Sequence, residues 1–327
     1  MITMKIGSLL RQIRTNKALT LADVADEDIS SSYLSKVERG QNDITVTKLI
    51  HLLRRLETTP EEFLYLATNG LSLGYGDRDQ FLETYFGKTT SMSIDPKKIP
   101  QIIKALKSEE EKARIVFEKA PSLKHKLAVN GRAILAILFQ SLFVEDRHEL
   151  PLRPDLTHVA EQYLQRLDNW GELDLYFFML FSIAMPASTQ RRLLTIAIKR
   201  SHYYRHFTNT PLLLLNLLEN QVMLELTRQD TKTAAHYLAQ LEKALDKQPS
   251  AEFALWARFH QAELYVRNGQ HKQAATLLDQ NIQMATTLKL RDLADMFSYA
   301  RPIILNEPPT SVYKYFHIMI GTLEETA

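Results

Sequence analysis

Apolar residues recur three and four positions apart along nearly the whole chain, as in Leu9, Leu10 and Ile13 or Leu238, Leu241 and Leu245. That spacing puts them on one face of an α-helix, and the alternation that a half-buried strand needs is nearly absent. Only 10 Gly and 12 Pro interrupt the 327 residues. The pattern predicts an all-α protein.

The helical period fails between Asn69 and Pro100, where Gly70, Gly74, Gly76, Gly87, the run from Thr89 to Ser91, and Pro96 cluster. Such residues favour turns over helix, and the length suits two domains. We therefore divide the chain into residues 1–68, a linker at 69–95 in which Gln80 to Tyr85 could form a short helix, and a second domain at 96–327. In the second domain, helical stretches of about 12–20 residues follow one another. Their breaks fall at Pro121, Pro151 with Pro154, Gly171, Pro186, Pro211, Pro249, Gly269, Pro302 and Pro308-Pro309. Two stretches superpose with a shift of 40: Val222, Ala234, Ala235 and Leu238 fall on Ala262, Ala274, Ala275 and Leu278. Small residues let paired helices approach, and large ones fill the seam to the next pair. With Ala262, Tyr265, Gly269, Ala274 and Leu278, the second copy resembles the tetratricopeptide pattern, which implies a solenoid of helical hairpins. Any antiparallel helical array is the plainer alternative.

Several function classes drop out. There are no cysteines, so disulfides, thiolate zinc sites and thiol catalysis are excluded, as suits a reducing cytosol. The apolar runs at Ile134 to Phe139 and Leu212 to Leu218 are too short for a membrane span, and the start of the chain lacks a signal-peptide pattern. No nucleophile–base arrangement, phosphate-cradling glycine loop or metal-ligand spacing is present, so we expect no enzyme, no cofactor and no metal. The pair His202 and His206 reads as surface. The net charge of +2 requires any contact with nucleic acid to come from a local basic face.

The candidate for such a contact lies near the start. Five short helical segments are read at Met4 to Asn16, Leu21 to Ala25, Ser32 to Glu38, Val46 to Leu56 and Pro60 to Ala67, with Thr20, Ser31, Thr45 and Thr59 at N-cap positions. The string SSSYLSKVERGQNDITVTKLIHLLRRL from Ser30, with IGSLLRQIR from Ile6, resembles the lambda-repressor-like, or XRE-type, helix-turn-helix domain. The resemblance implies that the third segment is the recognition helix and that Arg11 pairs with Glu38 to set the angle between two helices. Tyr33, Leu34 and Val37 share the inward stripe of that segment, leaving Ser30, Ser31, Ser32, Ser35 and Lys36 as candidates to face bases. Three serines in a row also suit a capping cluster. Arg39, Asn42, Thr45 and Thr47 follow, where side chains and exposed amides hold phosphate. Leu21 stands where the family has a glutamine that contacts the DNA backbone, which puts that contact in doubt.

The same SYLSKVERGQNDIT string, with YLQRLDNWGELDLYFF around Trp170 and LLLLNLLENQV around Asn216, resembles the Rgg (Rgg/GadR/MutR) family of transcription regulators. That resemblance implies a cytoplasmic homodimer that binds double-stranded DNA, and a repeat domain that binds a short signalling peptide in quorum sensing. A helical array can cradle an extended peptide only if the peptide's amides find polar partners. Asn216 and Asn220, one turn apart in an apolar helix, are candidates, as are Arg258, Tyr265 and Arg132. The plainer readings are a buried capping Asn and solvated arginines. Trp170 reads as a core anchor, and the run KRSHYYRHF from Lys199 as a solvated rim. Where the family has a polar residue after the aromatic-rich stretch following Trp170, this chain has the apolar Leu180, which leaves the ligand chemistry open. The alternatives are an XRE-type regulator with a non-peptide effector or none, and a helical-repeat interaction scaffold.

Overall fold

The computed structural model describes residues 5–67, 99–143, 151–200 and 212–306, and every regular element among them is helical. The chain divides into two compact units, Met1–Phe81 and Leu82–Ala327. The expected linker at 69–95, the helix from Gln80 to Tyr85, the pair His202 and His206, and most of the run from Lys199 lie outside the described residues.

The first unit has α1 (Ile6–Asn16), α2 (Leu21–Val24), α3 (Ser31–Glu38), α4 (Val46–Arg55) and α5 (Pro60–Ala67). Leu9, Leu10, Ile13, Val24, Ile29, Leu34, Val37, Leu52, Leu53, Leu56, Phe63 and Ala67 make its core. The N-cap of α3 is Ser30, one residue earlier than expected, because its Oγ accepts the Tyr33 N–H at 3.2 Å. Gly7 is where α1 crosses α3: a Cβ there would stand 2.0 Å from the Val37 carbonyl oxygen.

The second unit comprises α6 (Ile99–Lys119), α7 (Leu123–Phe143), α8 (Pro154–Arg166), α9 (Glu172–Ser182), α10 (Ala187–Arg200), α11 (Leu213–Thr227), α12 (Thr231–Leu245), α13 (Ala251–Arg267), α14 (His271–Thr287) and α15 (Arg291–Asn306). From α6 to α10, and again from α11 to α15, each helix packs against the next. In addition α7, α9, α11, α13 and α15 each touch the next in that series, which makes a row of first helices with the others as a second layer. The shift of 40 holds in space, because α11–α12 and α13–α14 are equivalent hairpins with Val222, Ala234 and Leu238 buried as are Ala262, Ala274 and Leu278. Trp170 is fully buried, with its indole N–H donating to the Leu164 carbonyl at 3.1 Å. Leu180 is buried as well.

One expected break is absent: Pro302 lies inside α15. Phe297, Ala300 and Ile304, buried around it, carry the helix through. Five helices end on a left-handed residue at Ala18, Gly40, Glu57, Gln229 and Lys289, and Gly269 does the same after α13.

Candidate functional site

The first surface is built around α3. Arg14, not Arg11, holds Glu38, with Nε donating to Oε1 at 2.7 Å and Nη2 to Oε2 at 2.8 Å. Arg11 is turned to solvent. Arg14 stands seven residues after Gly7 and so returns to the face of α1 that meets α3. The expected pair is therefore corrected by one helical turn. Arg14 also donates to the Leu19 carbonyl at 2.7 Å, so one guanidinium fixes both the end of α1 and the end of α3.

The turn from α2 to α3 is clamped by α4. Arg55 donates to the carbonyls of Val24 at 2.7 Å, Asp23 at 3.1 Å and Ala25 at 3.3 Å. His51 Nε2 lies 2.6 Å from Asp26 Oδ2, while Asp26 Oδ1 accepts the amides of Asp28 and Ile29. The hydrogen bond with His51 holds the Asp26 carboxyl below the usual carboxylate range. Asp26, Asp28 and His51 bring ligand-type atoms within 4.8 Å of one another. Both Asp26 oxygens are already engaged, and the Arg55 guanidinium stands 3.6 Å from Oδ2, so the trio is a loop clamp and a poor cation site.

With α3 so fixed, the candidate side chains sort by exposure. Ser30 caps the helix, and Ser31 is half-buried with its hydroxyl 3.5 Å from the Leu21 carbonyl. Ser32 and Lys36 are exposed, and Ser35 is half-buried. Beyond the helix Arg39, Asn42, Thr45 and Thr47 are all exposed. Arg39 Nε donates to Gln41 at 3.2 Å, and Thr45 caps α4 by accepting the Lys48 amide at 3.4 Å.

The second surface centres on α11, whose faces are assigned by their contacts. Asn220 donates to the Ser182 hydroxyl of α9 at 3.5 Å. Gln221 and Glu225 meet α10: Gln221 exchanges hydrogen bonds with Gln190, and Glu225 receives Arg191 at 2.7 and 2.5 Å. Leu215, Leu218, Val222 and Leu226 pack with α12 and α13. Glu219 reaches α13, where His260 Nε2 lies 2.9 Å from it. Asn216, Asn220, Met223 and Thr227 share a further side of the helix, where the two asparagines are half-buried and Met223 and Thr227 are buried. The structure thus brings Asn216 and Asn220 to one face.

It does not bring the other candidates there. Arg258 donates to Gln280 of α14 at 3.1 Å, and Tyr265, two turns on, shares that side and packs into the cluster with α14. They are on a first helix as expected, but on its face toward the second layer. Arg132 is held against α6 by the Glu109 carbonyl at 3.0 Å.

On α13, Trp256 and Phe259 meet Phe297 of α15 with ring centroids 5.2 and 4.8 Å apart, and His260 faces α11. His260 sits between two carboxylates, Glu219 at 2.9 Å and Glu263 at 2.6 Å, all three buried. A neutral imidazole has one N–H, so two carboxylate partners call for the imidazolium. Burial alone would lower its pKa, but the hydrogen bonds from Glu219 and Glu263 and their charges prevail and push it up to about 9. Sequence reading missed this clasp. Its signal was present: His260 and Glu263, one turn apart, interrupt a helix that is otherwise mostly apolar.

Both parts of the chain match known families. Residues 124–299 match the family model of the HTH-type transcriptional regulator Rgg, C-terminal domain, and residues 10–63 match a helix-turn-helix model. The chain is similar in structure to a candidate transcriptional regulator from Listeria monocytogenes EGD-e, with a TM-score of 0.73 and 18% identity over 93% of this chain and 98% of that one. It is also similar to the SHP pheromone receptor Rgg2 of Streptococcus dysgalactiae, with a TM-score of 0.63 and 15% identity over 90% and 98%. A third likeness is to a bacterial peptide pheromone/receptor complex, with a TM-score of 0.60 and 16% identity over 93% and 99%. At these identities the likenesses establish a shared fold.

Proposed function

The chain belongs to the family of the HTH-type transcriptional regulator Rgg, and from that premise we propose that it regulates transcription as a cytoplasmic homodimer whose helical-repeat domain binds a short signalling peptide. Among the described residues no helix is long and apolar enough to cross a membrane. The protein acts by binding, without catalysis. Ser32, Ser35 and Lys36 face the bases of double-stranded DNA, while Arg39, Asn42, Thr45 and Thr47 hold its phosphates. The peptide-binding part is supported by the fold it shares with the SHP pheromone receptor Rgg2 and with the peptide pheromone/receptor complex.

The observation that carries the peptide reading is the α11 stripe. Asn216 and Asn220 stand one turn apart on α11, both half-buried, with Asn220 donating to the Ser182 hydroxyl of α9. A carboxamide both donates and accepts, so it can satisfy the N–H and C=O of an extended peptide, whose burial would otherwise cost unpaired hydrogen-bonding groups. Calorimetric titration of the full-length protein with short hydrophobic peptides encoded beside its gene tests this. Micromolar or tighter binding is expected, lost in Asn216→Ala and retained in Arg258→Ala. Absence of binding by every such peptide, from protein that still binds its promoter DNA, would sink the peptide reading and leave the DNA-binding one.

A further inference from the structure

Tyr33 shares a sequence stripe with the core residues Leu34 and Val37, yet the fold gives it other work. It is half-buried, its hydroxyl donates to the Asp43 carbonyl at 3.0 Å, and the Lys48 ammonium stands 4.4 Å from its ring centroid. One side chain of the recognition helix therefore fixes the loop that follows and the first turn of α4. Lys48 is badly placed for a cation, because the N-terminal amides of a helix carry partial positive charge. The first turn of α4 has no acidic residue to offset it. Among the described residues the Lys48 ammonium meets an aromatic face and no carboxylate. Between the end of α3 and the first turn of α4, Arg39, Asn42, Thr45 and Thr47 are exposed. A cation held by a ring, against the helix field and beside a polar exposed loop, is suited to an anion that arrives from outside.

We propose that Lys48 neutralises a DNA phosphate at the edge of the recognition helix and that Tyr33 is its positioning residue, holding the ammonium by cation–π attraction and the loop by its hydroxyl. The inference rests on the DNA-binding reading of α3 and is independent of any peptide.

The test is the salt dependence of binding by the full-length protein to a short mixed-sequence duplex. Each neutralised phosphate contributes about 0.9 to the slope of log K against log salt. Lys48→Gln is expected to make the slope shallower by about that increment, and Lys48→Arg to keep it. Tyr33→Leu should lose the same increment, with no further loss in the double variant with Lys48→Gln, whereas Tyr33→Phe keeps the ring and the slope. A Tyr33→Leu variant that binds more weakly at the wild-type slope would reduce Tyr33 to a packing role and overturn its assignment. An unchanged slope in Lys48→Gln, alongside a shallower one in Lys36→Gln, would overturn the phosphate contact while the DNA-binding face stands. Unchanged slopes in both would overturn that face as well.

Discussion

Replacing Gly7 by Ala should loosen the recognition helix, although alanine is the better helix former. The gain in helix propensity is about 1 kcal/mol at most, and less near a helix start. Against it stands a Cβ placed 2.0 Å from the Val37 carbonyl oxygen and 3.2 Å from the Glu38 Cα, both backbone atoms that cannot swing aside. Ordinary contact begins near 3.4 Å, so α1 and α3 must separate by about 1.4 Å. Overpacking of this kind costs roughly 1–3 kcal/mol. It also pulls Arg14 from Glu38, whose two bonds of 2.7 and 2.8 Å tolerate no such shift. A net loss of about 1–2 kcal/mol follows, or about 4–16 °C in the melting of a domain this small. Hydrogen exchange of the α3 amides in the full-length protein reads the loosening, and fluorescence anisotropy reads DNA affinity, expected to fall several-fold. Ser8→Ala, at the exposed neighbouring position, is the control. Wild-type amide protection and wild-type affinity in Gly7→Ala would refute the reasoning, because the helices would then have absorbed a clash that the geometry says they cannot.

Arg14→Met should destabilise the N-terminal domain by about 3 kcal/mol, since it strands the buried Glu38 carboxylate, whereas Arg11→Ala should stay within about 0.5 kcal/mol; urea unfolding compares the two, and equal effects would contradict the assigned pair. For His260 the folded pKa of about 9 lies above the ordinary 6.5, so its contribution is complete below pH 6.5 and is lost as pH rises through 9. The repeat domain should therefore lose on the order of a few kcal/mol across that window, and thermal melts should show the loss in wild type but not in His260→Gln. Gln229 sits at φ 62 where the equivalent hairpin has Gly269 at φ 76; Gln229→Gly should stabilise by about 1 kcal/mol and Gly269→Ala should destabilise by as much. Calorimetric melting of the full-length protein measures both, and opposite signs would count against the backbone account.

Most of the architecture is legible in the residues because helical period is a local property. Leu9, Leu10 and Ile13 announce the buried face of α1, and the shift of 40 between Ala234 and Ala274 announces two equivalent hairpins before any contact is seen. What was hidden depends on azimuth and on reach. Arg11 and Arg14 both carry a guanidinium near the same face of α1, and only the crossing at Gly7 decides between them. Arg258 and Tyr265 stand on the expected helix, but a period of 3.6 residues cannot say whether a half-apolar side faces the row or the second layer. Pro302 predicted a break, and the burial of Phe297 and Ile304 overrode it. The Glu219–His260 contact joins residues 41 apart in sequence, so no local pattern exposes it. Left-handed helix ends at Ala18, Glu57, Gln229 and Lys289 carry no glycine to mark them.

The crowding around α11 has a mechanical meaning. Its side chains are bonded or packed to α9, α10, α12 and α13. A rotation large enough to re-aim Asn216 would have to part Gln221 from Gln190, Glu225 from Arg191 and Glu219 from His260 in the same event. Parting three bonded pairs at once would set a barrier between one position and another, so any such movement would go by steps rather than by degrees. A molecule seated beside Asn216 would bias that step only through a difference in its grip on the two settings. The response of this domain would then be graded in the fraction of molecules switched, with no molecule left halfway.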